Sequence, residues 1–272
     1  MKKDYVVVED RGEPDELAFV EEFWTQRWDQ QSSPPSPESV AHRPEMELML
    51  PYLKSLPPGS RLLDGGCGLG EWTVFLARQG FEVVGLDISA RTIARLQQLF
   101  PRQQFVRGDL RATEFAGASF DAYFSWGTFE HFENGPGECI AEAHRLLKPG
   151  GWLFVSVPYQ NWRHILREAR SRYRWQEGFN LKPGPLPRLR FYQWRFTKAD
   201  LRQELEMRGF EVLKLKPLHR QEGVRRALVW DLKLTPETRL FHAGEILLLR
   251  LLPGGFIAHM LMAVARKIEA AP

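Results

Sequence analysis

Two hydrophobic periods organise the chain. From Leu17 to Trp28, Phe19, Val20, Phe23, Trp24 and Trp28 recur at helical spacing, which predicts an amphipathic helix. From residue 61 onward, short apolar runs alternate with longer amphipathic segments. The runs predict strands over Arg61–Asp64, Glu82–Asp87, Gln104–Arg107, Phe120–Ser125 and Trp152–Val157. The segments between them predict helices over Glu71–Arg78, Ala90–Leu99 and Gly137–Leu147. Such alternation implies an α/β fold: a mostly parallel sheet with right-handed crossovers.

Punctuating residues refine this outline. Ser32-Ser33-Pro34-Pro35-Ser36-Pro37 reads as a loop. Pro44 suits the first turn of a helix over Arg43–Leu53, which Pro51 should end or kink. Lys148-Pro149-Gly150-Gly151 reads as a helix stop and a tight turn into the next strand. Between Tyr159 and Trp194 the alternation lapses into basic, aromatic and Pro-rich sequence, an insertion ahead of the next unit. Thr197 and Asp200 cap a further helix, followed by a strand over Phe210–Leu215, a helix over Pro236–Leu252 and a last strand over Met260–Arg266. The apolar stretch Ile246–Val264 is broken by Arg250, Pro253, Gly254, Gly255 and His259, so it reads as buried core. A membrane span needs roughly eighteen uninterrupted apolar residues.

Composition narrows the class without naming a function. A chain of 272 residues with two cysteines builds one α/β domain without disulfide staples. Cys67 and Cys139 fit no zinc spacing, and no secretory signal is expected at the start, so the expectation is a reduced, cytoplasmic compartment. Net charge is only +3, but residues 160–195 hold nine Lys/Arg against two acids. That excess reads first as a solvated face, and second as a surface for an anionic small substrate or lipid. No nucleic-acid motif accompanies it.

The chemistry concentrates at Leu62-Leu63-Asp64-Gly65-Gly66-Cys67-Gly68-Leu69-Gly70-Glu71. A buried strand runs into a loop with glycines at every second position, and a helix follows. Glycine tolerates positive φ and lets a ligand lie against bare main chain. Ligands of open α/β sheets bind at the carboxyl ends of strands, where this loop sits. The dinucleotide fingerprint is G-x-G-x-x-G, but Glu71 stands where its third glycine would fall. Asp87 closes the second strand about twenty residues on, the offset at which an acid meets ribose hydroxyls. The amino end of the helix after Gly70 suits an anionic group.

The spacing Asp64-x-Gly66-x-Gly68-x-Gly70 resembles the first motif of class I S-adenosylmethionine-dependent methyltransferases. Asp87-Ile88, Asp109-Leu110, the strand end at Ser125-Trp126-Gly127 and the Lys148–Gly151 turn fall in the family's order. The resemblance covers residues 60–157. It implies a Rossmann-like seven-stranded sheet and S-adenosyl-L-methionine as cofactor. It further implies that Asp64, Gly66, Cys67, Gly68 and Gly70 cradle the cofactor, that Asp87 and Ile88 flank the ribose, and that Asp109 and Leu110 flank the adenine. Trp126 would lie beside the methionine part, whereas Trp72 reads as core. His131 is the candidate base beside Glu130, with loop-holding hydrogen bonds as their alternative role; Tyr159, Tyr192 and His164 are weaker candidates. Residues 1–58, with Trp24, Arg27, His42 and Arg43, would form a helical lid on a methyltransferase domain over 59–272, and the insertion 159–195 would face the substrate.

The expected function is therefore methyl transfer to a small-molecule or lipid-like acceptor. The alternatives are a cofactor-binding protein without catalysis and an RNA methyltransferase. A nicotinamide oxidoreductase fits the glycine spacing less well.

Overall fold

A computed structural model gives the fold and describes residues 1–7, 15–31, 35–170 and 189–268. The elements follow in order: β1 (Lys2–Val7), α1 (Glu16–Asp29), α2 (Pro44–Leu53), β2 (Arg61–Gly65), α3 (Glu71–Arg78), β3 (Glu82–Asp87), α4 (Ala90–Leu99), β4 (Gln104–Arg107), β5 (Phe120–Trp126), α5 (Gly137–Leu146) and β6 (Leu147–Pro158). After these come α6 (Trp162–Arg170), β7 (Leu189–Arg195), α7 (Lys198–Glu206), β8 (Phe210–Leu218), α8 (Arg220–Trp230), α9 (Arg239–Leu251), α10 (Gly254–Ile257) and β9 (Met260–Lys267).

Seven strands form one sheet in the order β4-β3-β2-β5-β6-β9-β8, with β9 antiparallel to both neighbours and the rest parallel. Side chains alternate across a strand, so each parallel strand feeds two cores. Leu62, Val83, Phe124 and Phe154 pack on one face with Met49 and Leu53 of α2 and Leu76 of α3. Leu63, Val84, Tyr123 and Val155 pack on the other with Ile140 and Leu146 of α5 and Leu201 of α7. Burial on both faces explains why these strands read as continuous apolar runs. The order in which strands are added reverses between the parallel neighbours β2 and β5, which opens a crevice at their carboxyl ends.

Several sequence expectations are corrected. β1 was not expected, and it pairs antiparallel with β7 in a separate two-stranded sheet. The insertion over 159–195 therefore has structure at both ends, α6 and β7, while residues 171–188 lie outside the described set. Pro51 sits inside the last turn of α2, which runs on to Leu53. The Lys148–Gly151 turn is a bulge within β6: Leu147 pairs with Phe120, Trp152 pairs with Ala122, and Gly150 takes φ +72° between them. Helix α8 was not expected, and α9 begins at Arg239 rather than Pro236. Ile246–Val264 is only partly core, because Ile246, Leu247 and Leu251 face solvent whereas Leu261–Ala265 are buried in β9.

Candidate active site

The loop after β2 is shaped by its glycines and hung on β3. Gly66, Gly68 and Gly70 take φ of +79°, +51° and +71°, a region that costs other L-residues roughly 1–2 kcal/mol. A Cβ at Gly68 would also lie 2.9 Å from the Trp28 ring of α1. The N–H groups of Gly66 and Cys67 both donate to the Leu86 carbonyl, at 2.8 and 2.9 Å. Asp87 Oδ2 accepts from the Gly68 N–H at 2.9 Å, and its Oδ1 accepts from the Ser89 N–H at 3.0 Å. Asp87 is thus the clasp between the loop and the start of α4. Asp64 Oδ2 accepts from the Thr73 N–H at 3.1 Å and the Thr73 hydroxyl at 2.7 Å, tying β2 to the first turn of α3.

Above this loop lies a cavity of about 340 Å³ at the β2/β5 crevice, within the usual range of small-molecule sites. Asp64, Gly66, Cys67 and Gly68 form its floor. Asp87, Ile88, Asp109 and Leu110 line one side, and Trp126 and His131 line another. Val20, Trp24, Trp28 and Gln31 close it from the α1 side. Two expected residues are absent from the lining. Gly70 caps α3, where its bare Cα faces the Phe105 and Leu96 side chains, and Glu130 is buried behind the wall.

Burial sets the charges. It pushes the Asp64 carboxyl up from the ordinary 3.8 to about 7, against the hydrogen bonds from Thr73. Burial also raises Asp87, opposed by the Ser89 and Gly68 N–H groups, and it holds the Cys67 thiol neutral. A linkage effect follows. Between about pH 4 and 7 the folded chain keeps the Asp64 proton that the unfolded chain releases, so the contribution of Asp64 to stability should fall as pH rises through that window. Thermal melts should show a smaller decline for Asp64→Asn, whose carbonyl can still accept from Thr73; an unchanged slope contradicts the assignment.

The sequence missed the clasps that hold α1. No residue of α1 is fully buried. Its attachments are Glu16–Arg111 at 2.9 Å, Glu21–Arg107 and Asp29–Arg91 at 3.0 Å each, and Thr25–Ser89 at 2.6 Å. Surface pairs of this kind contribute roughly 0–1 kcal/mol each, which suits a cover that must admit a ligand. Arg111 also grips Asp109, with Nη2 at 2.8 Å from Oδ2. Arg43 reaches the cavity, pairs with Glu71 and stands over the Trp72 ring. Trp72 packs in the core, 4.9 Å from Trp126 between ring centroids, and also lines the cavity, which the core reading did not expect. Arg27 and His42 do not line the cavity.

The donor set fits an adenosyl amino acid. Asp87 can accept ribose hydroxyls beside its clasp, and the positive amino end of α3 favours a carboxylate. The Trp126 indole N–H is buried without a hydrogen-bond partner among the described residues, a donor awaiting an acceptor. A family model described as a methyltransferase domain matches residues 40–215.

The chain belongs to the class I S-adenosylmethionine-dependent methyltransferases.

A ubiquinone biosynthesis O-methyltransferase of Paracidovorax citrulli is 33% identical over 165 residues, covering 57% of this chain and 66% of that protein. A 2-methyl-6-phytyl-1,4-hydroquinone methyltransferase of Synechocystis is 36% identical over 137 residues, covering 44% of this chain and 42% of that protein. This methyltransferase chain therefore spans between 42% and 66% of the length of those curated relatives. Among solved structures, the Burkholderia thailandensis 1,6-didemethyltoxoflavin-N1-methyltransferase aligns at TM-score 0.54 and 19% identity, over 98% of this chain and 96% of that one. The [4+2]-cyclase SpnF aligns at 0.56 and 17%, over 99% and 100%. At such identities these likenesses establish the fold alone.

In the cavity wall of this methyltransferase-family chain, His131 sits in a short 3-10 turn, Phe129–His131, after β5. Its Nδ1 lies 2.8 Å from the Tyr192 carbonyl oxygen. That oxygen can only accept, so Nδ1 carries the hydrogen and Nε2 presents a lone pair. Glu130 Oε1 stands 3.8 Å from Nε2, and Glu130 Oε2 is buried without a hydrogen-bond partner among the described residues. Burial drives Glu130 up to about 8 and His131 down to about 4. Both are therefore uncharged at neutral pH.

Where the basic stretch over 160–195 is described, two of its arginines are held in ion pairs. Arg163 pairs with Asp231 at 2.5 Å, and Arg195 with Asp4 and Glu168 at 2.9 and 2.7 Å. His164 is buried within that network and lies away from both the large cavity and the smaller one beyond His131, as does Tyr159. Tyr192 contributes the carbonyl that orients His131, and it lines the smaller cavity. Arg172, Arg174, Lys182 and Arg188 lie outside the described residues.

Proposed function

We propose that this chain transfers the methyl group of S-adenosylmethionine to the hydroxyl of a small aromatic acceptor carrying an apolar substituent. One observation carries the reading: His131 and Trp24 stand in a wall shared by two cavities. On one side is the glycine-loop cavity. On the other is a pocket of about 50 Å³ under α1, lined by Phe19, Phe23, Phe191 and Tyr192, with Arg190 beside Phe19. An aromatic lining suits a flat, lipid-like ring. The two relatives, a ubiquinone biosynthesis O-methyltransferase and a 2-methyl-6-phytyl-1,4-hydroquinone methyltransferase, agree with such an acceptor.

The cofactor, when bound, supplies an already activated methyl group, so the protein's main task is alignment. The glycine loop, Asp87 and the first turn of α3 fix the donor side. Arg43, which lines the cavity, would pair with the donor's carboxylate. Trp24 and Trp28 of α1 exclude water. His131 Nε2 receives the acceptor's hydroxyl proton, while the Tyr192 carbonyl holds Nδ1–H and so the ring's orientation. Glu130 faces the nitrogen that becomes charged.

The pH dependence follows with a definite sign. Below about pH 8 Glu130 is protonated and gives His131 no charge to lean on. Turnover should therefore rise with pH through about 8, and Glu130→Gln should flatten that limb in a pH–rate profile. A Glu130→Gln enzyme with the parent profile contradicts the role.

Transfer of a labelled methyl group to a prenylated catechol tests the function. The expected product is a labelled methyl ether, made by the parent protein and not by His131→Ala. Label on nitrogen or carbon, or label in RNA but not in the catechol, overturns the reading.

A further inference from the structure

The outward face of α9 is apolar where solvent should favour polar groups. Leu240, Ile246, Leu247 and Leu251 are 65, 55, 54 and 66% exposed. Four large aliphatics exposed by more than half, in one helix of 13 residues, exceed the scattered exposure normal for a surface. Leu240, Leu247 and Leu251 are spaced i, i+7 and i+11, which places them in one stripe. Arg239 and Arg250 flank that stripe on one side, and Ile246 lies beyond them.

This stripe is not left over from core packing. The opposite side of α9 already has partners, with Phe241, Leu248, Leu249 and Leu252 packed on Val224 and Leu228 of α8. Glu245 is the sole acid in α9, and it is turned inward, where it accepts from Gln221 Nε2 at 2.8 Å. The outward face is therefore leucine and arginine with no carboxylate. Trp230, the last residue of α8, and Leu232 just beyond it add two more exposed apolar groups beside Lys233, and Asp231 between them is paired with Arg163.

Length and charge select the partner. A helix of 13 residues is about 20 Å long, too short to cross a bilayer, and among the described residues no helix is long and apolar enough to do so. A helix lying in the plane of a bilayer sinks its aliphatics to the acyl boundary and keeps arginines at the headgroups. Anionic headgroups supply the negative charge that this face lacks. Self-packing of two α9 faces would instead bring arginines together with no acid on the face to meet them. We propose that α9, with the adjoining end of α8, docks the protein on an anionic lipid bilayer. The proposal does not depend on the identity of the methyl acceptor.

Sedimentation with vesicles of phosphatidylcholine, with and without phosphatidylglycerol, tests it. The parent protein should sediment with the anionic vesicles, and the bound fraction should fall as salt rises. The double variant Leu247→Glu, Leu251→Glu should lower vesicle partition by at least about tenfold, with circular dichroism and S-adenosylhomocysteine titration unchanged. Arg250→Glu should weaken binding by at least about fivefold on anionic vesicles and leave partition on phosphatidylcholine alone nearly constant. The proposal is overturned if the parent protein stays in the supernatant with anionic vesicles. It is equally overturned if the parent is a micromolar dimer that the double variant converts to monomer.

Discussion

Asp87→Ala is expected to lower affinity for S-adenosylmethionine by at least about a hundredfold. The carboxylate makes two hydrogen bonds that shape the site, to the N–H groups of Gly68 and Ser89. It also faces the cavity where ribose hydroxyls would be received. Hydrogen bonds to a charged group contribute roughly 1.5–3 kcal/mol each. Removing one ligand contact and freeing Gly68 together exceed the roughly 2.7 kcal/mol that a hundredfold change requires. Asp87→Asn keeps one carbonyl acceptor, so its loss should be smaller. Calorimetric titration with S-adenosylhomocysteine reads both variants, and a melting curve separates loss of binding from loss of fold. An Asp87→Ala protein that binds as the parent does contradicts the assignment.

The second large effect is expected at His131. If Nε2 receives the acceptor proton, His131→Ala should lower kcat by roughly 10²–10⁴. Affinity for S-adenosylhomocysteine should stay within a few-fold, because the imidazole contacts the Tyr192 carbonyl and the Trp24 edge rather than the glycine loop. A parallel measurement of KM for the acceptor separates two roles. A base gives a fall in kcat. A group that only holds β7 through Tyr192 gives a rise in KM with kcat kept. Full turnover in His131→Ala would assign the histidine to the loop's structure.

The sheet was legible because its physics is local in sequence. Parallel strands buried on both faces must be runs such as Leu62-Leu63 and Val83-Val84, and a turn at positive φ must be glycine at Gly66, Gly68 and Gly70. Asp64 and Asp87 were legible as site residues by their offset from that loop. Their structural duties, to Thr73 and to Gly68 with Ser89, were not. β1 escaped notice because Lys2-Lys3-Asp4 is polar and its partner β7 lies about 190 residues away, in a segment with no pattern of its own. The clasps on α1 escaped for a related reason: Glu16–Arg111 and Glu21–Arg107 join residues far apart in sequence, and no periodicity marks such a pair. The exposure of Ile246, Leu247 and Leu251 in α9 was not legible because apolar residues stand on both its inner and outer faces, and residue type does not say which of them point inward.

The central claim is that the cavity over the glycine loop holds S-adenosylmethionine. Isothermal titration of the parent protein with S-adenosylmethionine tests it most directly. One site per chain with micromolar affinity, lost in Asp87→Ala, is the predicted result. No heat of binding at millimolar ligand, from protein shown to be folded, would contradict it.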